Sequence, residues 1–169
     1  MRNNFTVLYV LLVAAQMLIC NYLHLSPYVM LSLLPALILC LPTKVKTVAA
    51  MLIAFATGIA VDLLAEGALG INTVALVPVA FLRRNICDAI FGDELVVRGE
   101  EFSIRKYGLP KVIFALVLVQ ALFLVIYLWA DGAAARPWTF NLIRFAASLA
   151  AGMLLGVPVT DMLTPDDRR

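Results

Sequence analysis

The sequence predicts an all-α integral membrane protein, a single transmembrane domain over residues 1–169 built as a six-helix bundle with short second and fourth helices. Three observations carry that prediction: the composition, six separate apolar stretches, and the one-sided distribution of basic residues. Of the 169 residues, 63% are apolar and 14% charged, with a mean hydropathy of +0.98. Soluble domains average roughly 45–50% and about 25%. A water-soluble fold could not cover so much apolar surface, and a crossing of the hydrocarbon core needs about 20 residues. Six crossings with tight connections use nearly the whole chain.

The apolar stretches cover 5–23, 28–41, 47–64, 68–82, 112–130 and 140–159, and each is expected to form one transmembrane helix. The first follows Arg2, as an export signal would, but no small-x-small cleavage site follows it. Cys20 is preceded by Met17, Leu18 and Ile19 rather than by the small residue that a lipidated cysteine needs, so the first helix is expected to be retained. The second and fourth stretches, of 14 and 15 residues, reach only about 21–23 Å at 1.5 Å per residue. They carry Pro35 and Pro78, and lipid tolerates the backbone groups freed by proline only where protein or water satisfies them. Both helices are therefore expected inside the bundle or at a thinned rim.

Basic residues near the ends of crossings collect on the cytoplasmic side. With six crossings and a cytoplasmic N-terminus, the inner segments hold Arg2, Lys44, Lys46, Arg83, Arg84, Arg98, Arg105, Lys106, Lys111, Arg168 and Arg169, which is 11 of 13. Arg136 falls in an outer loop and Arg144 within the sixth crossing. Five or seven crossings would spoil this asymmetry. The expected location is a bacterial inner membrane, with both termini cytoplasmic and a cytoplasmic loop over 83–111.

Catalytic chemistry finds little to work with. There is one histidine, His24, and no Cys or His cluster at metal-ligand spacing, no GxGxxG, no Walker A sequence and no nucleophile elbow. Cys20, Cys40 and Cys87 fall at different places on this topology, and no pair suggests a disulfide. The expectation is a protein that is not an enzyme, with no cofactor and no metal.

Helix-packing chemistry is plentiful. Ala50, Ala54, Gly58 and Asp62 recur every four residues on one face of the third crossing, and Ser148, Gly152 and Gly156 repeat the device in the sixth. Small residues let backbones approach closely in lipid. Two uses are open to these ladders: packing within the bundle, or a face for a partner's transmembrane helix. Gln16 and Gln120 sit in mid-crossing and are expected to face protein rather than lipid. Asp62 and Arg144 fall at similar depth in the outer half, and charges inside a crossing usually face the bundle and pair. An Asp62–Arg144 pair is one expectation. The other has Asp62 capping the turn at Gly67 through local hydrogen bonds while Arg144 reaches toward headgroups.

The turn after the third crossing carries glycines, Gly67 and Gly70, that permit positive φ. The run Gly58-Ile59-Ala60-Val61-Asp62-Leu63-Leu64, then Gly67, then Leu69-Gly70-Ile71-Asn72, resembles the rod shape-determining protein MreD family. The likeness extends to length, crossing number, the short second and fourth helices and the basic exit Phe81-Leu82-Arg83-Arg84. It implies a non-enzymatic component of the bacterial cell-elongation complex that binds MreC. It further implies links to the MreB filament inside and to the glycosyltransferase and transpeptidase pair that builds peptidoglycan outside. The segment 83–111 is longer than the resemblance leads one to expect.

That segment mixes six basic with five acidic residues, which suits a solvated or docking surface and not a nucleic-acid stripe, so no nucleic-acid partner is expected. Ile86, Cys87, Ile90 and Phe91 share one side of a short helix that could lie at the membrane lipid surface, with Arg83 and Arg84 near anionic headgroups. A plain ordered loop is the other possibility. Trp129 and Trp138 flank the outer loop as an aromatic belt would. The helix number and length are also similar to those of the S components of energy-coupling-factor vitamin transporters. That alternative asks for an outer polar pocket, for which the candidates are Asn21, Tyr22, His24, Asn72, Trp138 and Asn141. Ala14 and Ala15 have no alanine four residues away to form the Ala-x-x-x-Ala docking pair of such proteins.

Overall fold

The computed structural model describes residues 2–22, 29–66, 70–92, 108–132 and 136–163, and among them every regular element is a helix. In chain order these are α1 (Arg2–Tyr22), α2 (Leu34–Leu39), α3 (Thr47–Val61), α4 (Ile71–Phe91), α5 (Leu109–Ala130) and α6 (Trp138–Leu163). The last turn of α3 widens into a π-helical segment, Asp62–Glu66. Four helices are long and apolar enough to cross a membrane: α1, α3 with its π turn, α5 and α6. Their positions agree with the stretches 5–23, 47–64, 112–130 and 140–159.

The second and fourth stretches differ from expectation. Among the described residues of that second stretch, 29–41, only Leu34–Leu39 is helical, about 9 Å of rise, and residues 30–33 before it are not. All six residues of α2 are buried, as are Leu33, Cys40 and Leu41. Pro35 sits in the first turn, where the missing N–H would have had no helical partner. The fourth stretch does not end at Leu82. α4 continues through Arg83 and Arg84 to Phe91, so the short helix expected at 86–91 is its last turns. Its three internal charges, Arg83, Arg84 and Asp88, keep it out of the set apolar enough to cross.

α2 is the centre around which the longer helices gather, packing on α4, α5, α6 and α1. α3 and α4 lie antiparallel across the short turn and form the closest helix pair, followed by α4 with α5 and α5 with α6. Of the crossing residues of α5, 50% are buried, against 22% for α1 and α6, which makes α5 interior and the other two peripheral. Val7, Val10, Leu11 and Leu18 of α1 and Leu142, Ile143 and Leu154 of α6 form the outward apolar surface.

Candidate functional site

The residues of the G-x-x-x-D run converge on one joint between α3 and α4. Gly58 lets the two backbones touch: a Cβ there would lie 2.6 Å from Thr73 Cα and 2.9 Å from its backbone N. Ala50 and Ala54, both buried, continue the same face. One turn beyond Gly58, the fully buried Asp62 carboxylate receives the start of α4. Its Oδ2 accepts from the backbone N–H of Gly70 at 3.0 Å and from the N–H and Oγ1 of Thr73 at 3.2 and 2.8 Å. Its Oδ1 accepts from the N–H and Nδ2 of Asn72 at 3.0 and 2.9 Å.

The first N–H groups of a helix lack partners within it. The N-cap of α4 is Gly70, at φ 95°, which has no side chain to supply one. Asp62 therefore caps α4 from the preceding helix, with its negative charge at the positive end of the α4 dipole. Gly58, Asp62, Gly70 and Asn72 are brought together, while Gly67 lies outside the described residues. Thr73 was not singled out in the sequence. Its position as third residue of α4, where a capping acceptor is received, was the available signal.

The Asp62–Arg144 pair is not formed. The carboxylate of Asp62 is fully engaged by α4. Arg144 Nη1 donates instead to Asp131 Oδ2 at 2.5 Å, and Arg136 Nη1 donates to the same oxygen at 2.7 Å. Asp131 is the C-cap of α5, so this clasp closes the α5–α6 connection. Burial alone would raise the Asp131 pKa, but hydrogen bonds and charge from Arg136 and Arg144 outweigh it and hold the carboxyl below its ordinary value. A depressed folded-state pKa contributes stability above the unfolded value, near 3.9, that is lost as pH falls through the folded value. The melting temperature is thus expected to fall on acidification below about pH 4. Asp131→Asn should lose part of that acid dependence and be less stable at neutral pH; equal acid profiles for the two proteins would contradict it.

The non-helical backbone ahead of α2 is served by side chains from two helices, as irregular backbone within a bundle requires. Gln16 of α1 pairs with it like a neighbouring strand, donating to the Leu31 carbonyl at 2.9 Å and accepting from the Leu33 N–H at 2.7 Å. Its Nε2 also contacts Cys20 Sγ at 3.1 Å. Ser148 Oγ of α6 accepts from the Met30 N–H at 2.9 Å. At the other end of α2, the Arg83 guanidinium donates through Nε to the Leu39 carbonyl at 3.2 Å and through Nη2 to the Leu41 carbonyl.

Arg83 is therefore not a surface contact. It is 7% exposed and completes the end of α2, where carbonyls have no helical partner. Arg83→Met is expected to cost about 2–4 kcal/mol by leaving two buried acceptors without a donor. Arg84→Met, at an exposed position 3.9 Å from Asp88, should stay within about 0.5 kcal/mol. Thermal unfolding in detergent compares them, and equal effects would contradict the assignment. Phe91 and Cys87 are likewise buried, with Ile86 and Ile90 packed against the core. The apolar side of 86–91 faces protein, because the turns belong to α4 and follow its packing on α5.

Both small-residue ladders serve packing inside the bundle. A Cβ on Gly152 would overlap the Gln120 side chain of α5, and one on Gly156 would meet Ala36 Cβ and Leu116 Cδ2, each at 3.6 Å. Gln16 and Gln120 are 1% and 3% exposed, so both face protein as expected. Tyr9 of α1 and Thr57 of α3 add a hydroxyl pair at 3.0 Å.

Of the residues proposed for an outer polar pocket, Asn72 donates its N–H and Nδ2 to Asp62, Tyr22 and Trp138 are largely exposed, and His24 lies outside the described residues. Cys20, Cys40 and Cys87 are not joined in disulfides. Among the described residues, no three His, Cys, Asp or Glu side chains group as metal ligands would. Compared with known proteins, the chain matches no family model, no curated protein and no solved structure.

Proposed function

We infer that this chain is a non-enzymatic component of the bacterial cell-elongation complex, related to MreD. In this reading it binds MreC in the inner membrane and helps couple the MreB filament to the glycosyltransferase and transpeptidase pair that builds peptidoglycan. The observation that supports the reading is the joint at Asp62. The residues that carry the resemblance are not scattered coincidences of an apolar sequence. Gly58 is the point of closest helix approach, and Asp62 caps α4 through Gly70, Asn72 and Thr73. A scaffold needs rigid packing surfaces of this kind.

The same reading has six crossings with both termini cytoplasmic. Residues 30–41 provide the second, antiparallel to α1 and parallel to α6. Met30 meets Ser148, and Ala36 meets Gly156, about 12 Å farther along α6. α4 provides the fourth crossing, with Arg84 at its cytoplasmic end, and the segment 83–111, of which 93–107 lies outside the described residues, contributes to the contact toward MreB. Fusions after Lys46, within 94–101 and after Arg169 should report the cytoplasm, and one within 131–138 the outside. Depletion in a rod-shaped host is expected to turn cells round while leaving solute uptake unchanged. Retained rod shape would contradict the proposal.

A further inference from the structure

We propose that the break ahead of α2 is a buried hydration site, in which one water molecule joins the Ser32 hydroxyl and the Gln120 side-chain amide. The geometry points to it through α6. Ser148, Gly152 and Gly156 form one face of that helix, each a turn apart, and each marks a level in the bundle. Met30 N–H reaches Ser148 Oγ, Gln120 packs on Gly152, and Ala36 and Leu116 both touch Gly156.

α2 and α5 therefore lie side by side over this face. Ser32, two residues beyond Met30 in a non-helical segment, falls about 6–7 Å along it, at the level of Gly152 and hence of Gln120. Gly152 has no side chain, and the Gln120 amide occupies the room this leaves.

Ser32 is 1% exposed and Gln120 3% exposed, and neither Ser32 Oγ nor Gln120 Nε2 has a hydrogen-bond partner. Buried polar groups are almost always paired with protein or ordered water. Gln16 is committed to the backbone on either side of Ser32, and the hydroxyl and the amide are both left open.

A ligand here must suit two neutral groups, a hydroxyl and a side-chain amide. It must also accept from an amide and exchange a hydrogen bond with a hydroxyl. Water meets both conditions and has the two to four polar partners that a buried water needs. A cation does not, because Gln120 presents an N–H group.

The test is a structure in a lipid nanodisc at a resolution that places solvent, joined to a double-substitution cycle. Density for one water is expected within about 3.2 Å of Ser32 Oγ and Gln120 Nε2. Ser32→Ala and Gln120→Met should each lower the melting temperature by about 2–4 °C, and the double variant by no more than the larger single effect. A direct Ser32–Gln120 hydrogen bond without water would overturn the proposal. So would additive losses, or a melting temperature that rises when sodium replaces choline.

Discussion

Asp62→Ala is expected to destabilise the protein by about 3–5 kcal/mol, because each buried donor left alone costs roughly 1–3 kcal/mol and several lose their acceptor together. The carboxylate serves five donors from Gly70, Asn72 and Thr73 at the start of α4. No other residue of that turn can replace it, since the N-cap is a glycine. Asp62→Asn keeps the shape but points an amide at some of these donors, and should fall between wild type and alanine. Exchanging charges, Asp62→Arg with Arg144→Asp, should give no rescue. Thermal unfolding in one detergent measures all of these, and recovery in the exchanged variant would restore the direct Asp62–Arg144 pair.

Gly58→Val should rank beside it, at about 3 kcal/mol or more. Overpacking usually costs about 1–3 kcal/mol when side chains can yield, but here the new atoms meet backbone. With a Cβ 2.6 Å from Thr73 Cα, α4 itself would have to move, which also draws Thr73 and Asn72 away from Asp62. Gly58→Ala is the milder form of the same clash. Gly152→Ala is a useful contrast, since what its Cβ meets is the end of the flexible Gln120 side chain. It should cost less than Gly58→Ala, and the reverse order would show that the α3–α4 contact is not the tighter of the two.

The four long apolar helices were legible because composition and length decide them, and the small-residue ladders marked which faces pack. The second stretch was not, for a physical reason. A short run buried on every side has no polar face, so apolarity alone cannot separate helix from extended chain. What holds 30–33 outside the helix is Gln16 and Ser148, residues distant in sequence. Arg83 misled for a related reason: a cation ending an apolar run reads as a surface charge until the open carbonyls at the end of α2 are in view. Asp62 was recognised as an inward-facing group, but two partners were available to it by depth. Its capping role depended on the turn folding back so that Gly70, Asn72 and Thr73 present their N–H groups together.

The proposed function is tested most directly by identifying what the intact chain holds in the membrane. The full protein, affinity-tagged at the C-terminus and extracted from its native membrane in mild detergent, is expected to recover MreC. Recovery should be weakened by Asp62→Ala even when compared at equal amounts of folded protein. Recovery of a pair of ATPases and a bound vitamin, with no MreC, would contradict the scaffold reading and assign the chain to transport.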